Sequence, residues 1–313
     1  LTTAQPADSA ERLSRKDLCG VFLPITTPFR SDGALDINGL AANIKQWNAT
    51  GIDGFVLLGS TGERVHLDER EYLEIIQSAR EAVSPGKLFI VGAGQQSTRG
   101  TVSEIKRVSE TVPVDAFLVI TPSFYRPSLT QNALLNHYLA VADEATAPII
   151  LYSMPALTGI RIESQTAARL SEHANIVGIK DSSADVDGLR ETVKLVRDDF
   201  AVLTGNGTIF HKALRAGACG GILAVGCVAP DLCVAIFRSA ASIELDRAAS
   251  LQNTLTPLAE AVTVRFGLGG LKAALDMNGY VGGFVRAPLS PPDNHAIAEI
   301  KNLLKEARDA LVA

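Results

Sequence analysis

Eight short apolar runs punctuate the chain: CGVFLPIT (19–26), GFVLLGS (54–60), KLFIVGAG (87–94), AFLVITP (116–122), PIILYS (148–153), NIVGIKDS (175–182), FAVLTGN (200–206) and GGILAVG (220–226). Their starts recur every roughly 20 to 35 residues, the length of one strand, one helix and two short loops. The segments between them carry helical period. In LDEREYLEIIQSAREAV (67–83), Asp68 stands at the N-cap position and Glu71 at its capping-box partner. Alternation of strand and helix implies a parallel sheet with helices outside it, and the runs are apolar enough to be buried on both faces. Eight such units favour closure over an open doubly wound sheet. The expected fold class is therefore α/β, a (β/α)8 TIM barrel over residues 17–243. The stretches LQNTLTPLAEAVTVRF, LGGLKAALDMNG and HAIAEIKNLLKEARDALVA predict a C-terminal helical domain over 244–313, and the polar residues 1–16 a flexible N-terminal tail.

Composition narrows the function. The 313 residues are 47% hydrophobic and 20% charged, enough for a large core. A net charge of -5 and the lack of a dense Lys/Arg block exclude a polyanion-binding surface, so no nucleic acid partner is expected. No apolar stretch approaches the roughly 20 residues of a membrane span, and the start LTTAQPADSAERLSRKD lacks the apolar core of a signal peptide, which makes the cytoplasm the expected compartment with no membrane association. Cys19, Cys219, Cys227 and Cys233 show no paired C-x-x-C spacing and read as reduced, packed thiols. The five histidines lie far apart and form no H-E-x-x-H, so no metal site is expected.

In such a barrel the chemistry collects where strands end. The second run closes in GSTGE (59–63), the fourth in TPSFYRP (121–127), the fifth in LYSMP (151–155) and the sixth in IKDSS (179–183). GAGQQS (92–97) fails the dinucleotide fingerprint at its last glycine, so a nicotinamide cofactor is unsupported. Lys180 is the sharpest residue: burial favours the neutral amine, which can form a Schiff base with a ketone. The alternative is a lysine that pairs with Asp181 or snorkels to the rim. Tyr152 ends the neighbouring strand, where a phenol can pass protons to and from the reacting oxygen, or else park its hydroxyl on a backbone group of the core. Ser60, Thr61 and the amides of GSTGE could hold a carboxylate. Glu63 is read as a support for the loop or the following helix.

GSTGE, LYSMP and IVGIKDSS, in this order and on these strands, resemble the dihydrodipicolinate synthase and N-acetylneuraminate lyase family of class I, pyruvate-type Schiff-base enzymes, over roughly residues 19–290. The resemblance implies a barrel with a helical C-terminal domain, a homotetramer built from tight dimers or a homodimer, and a covalent imine on Lys180 with no other cofactor and no metal. It also implies Tyr152 as the proton-transfer residue, Ser60 and Thr61 on the keto acid's carboxylate, and Ile222 in the pocket lining.

Three departures bear on the substrate. The synthases carry an arginine in the fifth-strand loop that clamps the second substrate's carboxylate, and here MPALTG places Leu157 there. The sialic acid lyases use acidic residues after the seventh strand, and here Gly207 and Thr208 stand there. Where the family has a tyrosine completing a hydroxyl relay, this chain has Phe124, so Tyr125 or water substitutes, or Tyr152 alone suffices. VTVRFGLGGLKAALDMNGYVGGFVRAPL and ILYSMPALTGI are similar to 4-hydroxy-2-oxoglutarate aldolases. The favoured expectation is thus cleavage of a 4-hydroxy-2-oxo acid to pyruvate and an aldehyde, glyoxylate. The alternatives are a dihydrodipicolinate synthase joining pyruvate to aspartate semialdehyde, a 2-keto-3-deoxy sugar acid aldolase or dehydratase, and a non-catalytic keto-acid binder.

Overall fold

All eight apolar runs form strands: β1 Val21–Pro24, β2 Gly54–Leu57, β3 Leu88–Ala93, β4 Ala116–Ile120, β5 Ile149–Ser153, β6 Ile176–Asp181, β7 Ala201–Thr204 and β8 Gly220–Ile222. Each is parallel to the next and β8 pairs with β1, so the sheet closes in sequence order. The strands are shorter than the runs because the last apolar residues of several runs already turn into the loops above the barrel. The computed structural model describes residues 13–311.

Alternation along the strands divides the apolar residues into two cores. Phe22, Val56, Ile90, Leu118, Ile150, Val177, Leu203 and Ile222 fill the barrel interior. Leu23, Phe55, Val91, Val119, Leu151, Ile179 and Val202 face outward and pack against the surrounding helices. The helix Glu69–Ala82 shows how local sequence sets this layer. Asp68 accepts from the Glu71 amide, the Glu71 side chain returns to the Asp68 amide, and Tyr72, Ile75, Ile76 and Ala79 form its buried stripe. Such a cap is worth about 1 kcal/mol.

One strand departs from strict alternation. Between β5 and β6 the register runs Ile149 to Ile176 and then Ile150 to Gly178, which leaves Val177 as an extra residue, a β-bulge. Ile176 and Ile179 both pack outward and Val177 inward. Gly178 is required at the bulge, since a Cβ there would stand 2.7 Å from the Ala201 carbonyl oxygen on β7.

After the helix Pro230–Ala241 the chain forms helices Leu245–Glu260, Gly267–Met277 and Asn294–Asp309, with a π-helical turn Ala261–Arg265 between the first two. Trp47 stacks on Tyr280 at 5.1 Å, and the Asn43 amide bonds both backbone groups of Val281, fastening this region to the first barrel helix. Of the expected tail 1–16, residues 1–12 lie outside the described residues. Residues 14–18 form a turn in which Asp17 accepts from the Ser14 amide and hydroxyl, and Leu18 is buried against the inner core. Among the described residues no helix is long and apolar enough to cross a membrane.

Candidate active site

Lys180 and Tyr152 are register partners on β6 and β5, so their side chains leave the sheet on the same side. Both are buried, at 4% and 2% exposure. The Lys180 Nζ lies 4.3 Å from the centroid of the Tyr152 ring, over its electron-rich face. Among the described residues no carboxylate comes within 4.0 Å of that nitrogen. The pairing with Asp181 considered from sequence does not form. As the next residue along the strand, Asp181 turns the other way, accepting from the Ser183 amide at 2.7 Å and lying 3.8 Å from Arg161. Arg161 is itself held by Asp185 at 2.6 Å.

The Tyr152 hydroxyl lies 3.0 Å from Ser60 Oγ. Ser60–Gly62 is a single 3-10 turn, closed by the Gly62 amide on the Gly59 carbonyl and braced by the Thr27 hydroxyl on the Gly62 carbonyl at 2.7 Å. The Ser60 side chain is thus directed at the phenol. Thr61 is buried on the same turn, and Ile222, at the end of β8, is fully buried in the inner core that also contains Tyr152. These residues, predicted from separate segments, converge on one end of the barrel.

Glu63 locks the turn in place. It adopts a left-handed conformation at φ 53°, and its carboxylate meets Lys272 Nζ at 2.5 Å, His66 Nδ1 at 3.1 Å and the Arg286 amide at 3.1 Å. Lys272 is 1% exposed and also donates to the Phe284 carbonyl at 2.5 Å. Burial pulls the Lys272 amine below its ordinary value, and Glu63 opposes that shift. The sequence indicated Glu63 as a support, but nothing in it signalled that the brace would come from a helix more than 200 residues away.

Phe124 and Tyr125 stand at the rim after β4, 76% and 70% exposed, packed edge to face at 5.1 Å. Among the described residues the Tyr152 hydroxyl bonds Ser60 and no tyrosine, so Tyr125 does not complete a relay within one chain. Leu157 is 64% exposed on the turn Pro155–Thr158. The Arg126 side chain covers Gly159 two residues on: a Cβ built there would lie 2.7 Å from Arg126 Cδ. Gly205, just past β7, was missed by sequence reasoning. A Cβ at that position would overlap Ser182 Oγ and lie 2.7 Å from Lys180 Cε, so a side chain there would press on both residues. The available signal was a glycine ending the run beside the lysine strand. Two surface clefts of about 370 and 350 Å³ lie among the outer helices, lined by Asp231, Arg238 and Glu244 and by Leu214, Phe237 and Leu245 respectively, and neither touches this site.

Among the described residues no group of three His, Cys, Asp or Glu side chains could hold a metal ion. The site instead offers an amine, a phenol, two small hydroxyls and loop amides. That set suits carbonyl addition with proton transfer to the oxygen.

The sequence model of the dihydrodipicolinate synthetase family matches residues 17–307. The chain is 32% identical over 289 residues to a 4-hydroxy-tetrahydrodipicolinate synthase of Haloarcula marismortui, covering 92% of this chain and 93% of the relative. It is 33% identical over 291 residues to the same-named enzyme of Methanothrix thermoacetophila, covering 93% and 97%. Among solved structures, dihydrodipicolinate synthase from Thermotoga maritima superposes with a TM-score of 0.88 at 32% identity, covering 92% and 98%. YagE, an E. coli K12 prophage protein of the dihydrodipicolinic acid synthase family solved in complex with pyruvate, gives 0.86 at 28% identity, covering 93% and 98%. These two curated relatives carry the synthase name and not that of the hydroxyoxoglutarate aldolases favoured from the two sequence stretches.

Proposed function

This chain belongs to the dihydrodipicolinate synthetase family, and on that premise we propose that it is a class I lyase in which Lys180 carries pyruvate as a Schiff base through making or breaking a carbon–carbon bond. The observation that carries this reading is a buried Lys180 Nζ, without a carboxylate partner, over the ring of a tyrosine whose hydroxyl meets Ser60.

The amine attacks C2 of the keto acid, and Tyr152 gives a proton to the departing oxygen, which leaves as water. The resulting iminium draws electrons from C3, so a C3 proton is lost and an enamine forms. Its C3 adds to the aldehyde carbonyl, and the new alkoxide takes a proton relayed through Tyr152. Water then hydrolyses the imine and frees Lys180. Cleavage runs the same steps in reverse. The imine is the electron sink, so the chemistry asks for no further cofactor. The Ser60 and Thr61 hydroxyls and the amides of their turn orient the carboxylate, with Ile222 lining the pocket.

Similarity to named synthases over nine-tenths of the chain supports condensation of pyruvate with aspartate semialdehyde as the first reading. A second, cleavage of 4-hydroxy-2-oxoglutarate to pyruvate and glyoxylate, is favoured by the exposed Leu157 in place of a carboxylate-binding arginine. In either case Arg126, lying over Gly159, is the cation nearest the altered loop. Pyruvate with borohydride, followed by peptide mapping, tests the shared step, and an unmodified Lys180 under conditions that label a known Schiff-base enzyme would overturn it. Pyruvate consumption with aspartate semialdehyde, set against pyruvate release from 4-hydroxy-2-oxoglutarate and from 2-keto-3-deoxy sugar acids, separates the readings. No turnover with any of them would favour a keto-acid binder. A homodimer or homotetramer in the cytoplasm completes the proposal. The exposed Phe124–Tyr125 pair supports the assembly, and sedimentation velocity reads it.

A further inference from the structure

The opposite end of the barrel carries a second reactive pair. Gly20 donates to the Cys219 carbonyl at 3.1 Å and accepts from the Gly221 amide at 2.8 Å, which makes Gly20 and Gly220 neighbours across the seam where β1 meets β8. The same register pairs Val21 with Gly221. One residue below, Cys19 and Cys219 therefore stand side by side and face the same way, and both join the inner core at the bottom of the barrel. Adjacent strands lie about 4.8 Å apart, within the roughly 4.4 to 6.8 Å between Cα atoms that a disulfide spans. Cys19 is half-buried and Cys219 buried, so Cys19 is the more accessible of the two.

We propose that Cys19 and Cys219 form a peroxide-responsive dithiol that closes to a disulfide across the seam of the barrel. The Cys19 thiolate attacks one oxygen of hydrogen peroxide and breaks the O–O bond. Cys19 becomes a sulfenic acid, and the departing hydroxide takes a proton to form water. Cys219 then attacks the Cys19 sulfur, the S–O bond breaks, and the hydroxide leaves as a second water with the Cys219 proton. Each sulfur gives up one electron and the peroxide is reduced by two. The chain itself supports this order. The Cys219 thiol donates to the Leu18 carbonyl at 3.6 Å, and its sulfur beside Cys19, opposed by burial and helped by the positive charge of Arg15, brings Cys19 below the ordinary thiol value. Cys219 is pushed far up by its bond to Cys19 and by burial. Cys227 and Cys233 are fully buried, with burial raising both thiols, Cys233 to about 12, and they serve as internal controls.

The full chain is treated with hydrogen peroxide, alkylated without reductant and mapped by peptide mass spectrometry. The expected result is a Cys19–Cys219 linked peptide that disappears with dithiothreitol, while Cys227 and Cys233 are recovered as thiols. In Cys219→Ser, Cys19 stops at the sulfenic acid and is tagged by dimedone. Cys219→Ala, which keeps the position apolar, gives the same reading should the serine variant fail to fold. Alkylation of Cys19 in the reduced chain should set in at a lower pH than that of an ordinary thiol. Oxidation of Cys19 in the intact chain with Cys219 still a free thiol, or linkage of Cys19 to a second copy of the chain, would overturn the proposal.

Discussion

Two lysines in this protein are buried, and their surroundings differ in one respect. Lys180 lies 4.3 Å over the ring of Tyr152 and Lys272 lies 4.5 Å over the ring of Phe29. Lys272 ends against Glu63 and the Phe284 carbonyl, each at 2.5 Å, while Lys180 meets no carboxylate among the described residues. Burial alone therefore does not make an amine reactive. A lysine given a carboxylate and a carbonyl becomes a fastener between the C-terminal helices and the Ser60 turn. Lys180 instead lies over an aromatic face, with no carboxylate at its nitrogen among the described residues.

Exchange of the two roles is the strongest way to break this contrast. Lys180→Met should abolish borohydride trapping and lower turnover about a thousandfold or more, with circular dichroism and melting little changed. Lys272→Met should do the reverse. It leaves the Glu63 carboxylate buried without its cation, at a cost of about 3–5 kcal/mol in denaturant unfolding, while Lys180 in the folded fraction still traps pyruvate. Equal loss of trapping in both variants would refute the division of roles.

A third buried base sharpens the point. His137 receives or gives one hydrogen bond with Thr98 at 2.9 Å, while its Nε2 has no partner. Burial lowers it from 6.5 to about 4. Because the unfolded chain binds this proton more readily than the folded one, stability should be full above pH 6.5 and fall as pH drops toward 4. The loss reaches about 3 kcal/mol and levels below that. Urea unfolding of the wild type and His137→Gln across this range reads the difference, and identical pH profiles would assign the loss to other groups. The smallest expected effect tests the space around the reactive amine. Gly205→Ala should displace Ser182 and Lys180 Cε and lower turnover roughly tenfold, about 1.4 kcal/mol, read in the folded enzyme beside its unfolding midpoint. Full activity would show that the lysine has room to spare.

The barrel was legible because its signal is repeated: eight apolar runs of similar spacing leave few other arrangements, and all eight became strands. Lys180, Tyr152 and the Ser60 turn were legible because each polar residue interrupts or closes such a run. What was hidden depends on contacts between distant segments. The Glu63–Lys272 pair joins positions more than 200 residues apart, the Ser60–Tyr152 bond depends on a loop's fold, and Gly205 matters only because a particular side chain lies beside it. The preference for a hydroxyoxoglutarate aldolase rested on two short stretches, whereas whole-chain similarity spans the core and weighs all segments together.

The extra residue in β6 decides which way the Lys180 amine looks. Counted upward from Ile176 on an unbroken zigzag, position 180 would share the outward heading of 176 and aim its ammonium at the helical jacket. The half-step at Val177 reverses that parity, so the amine's heading is inherited from Tyr152 across the strand pair and not from the strand's own beginning. The register shift thus sets Lys180 on the Tyr152 side of the sheet, above the packed Ile176 and Val177.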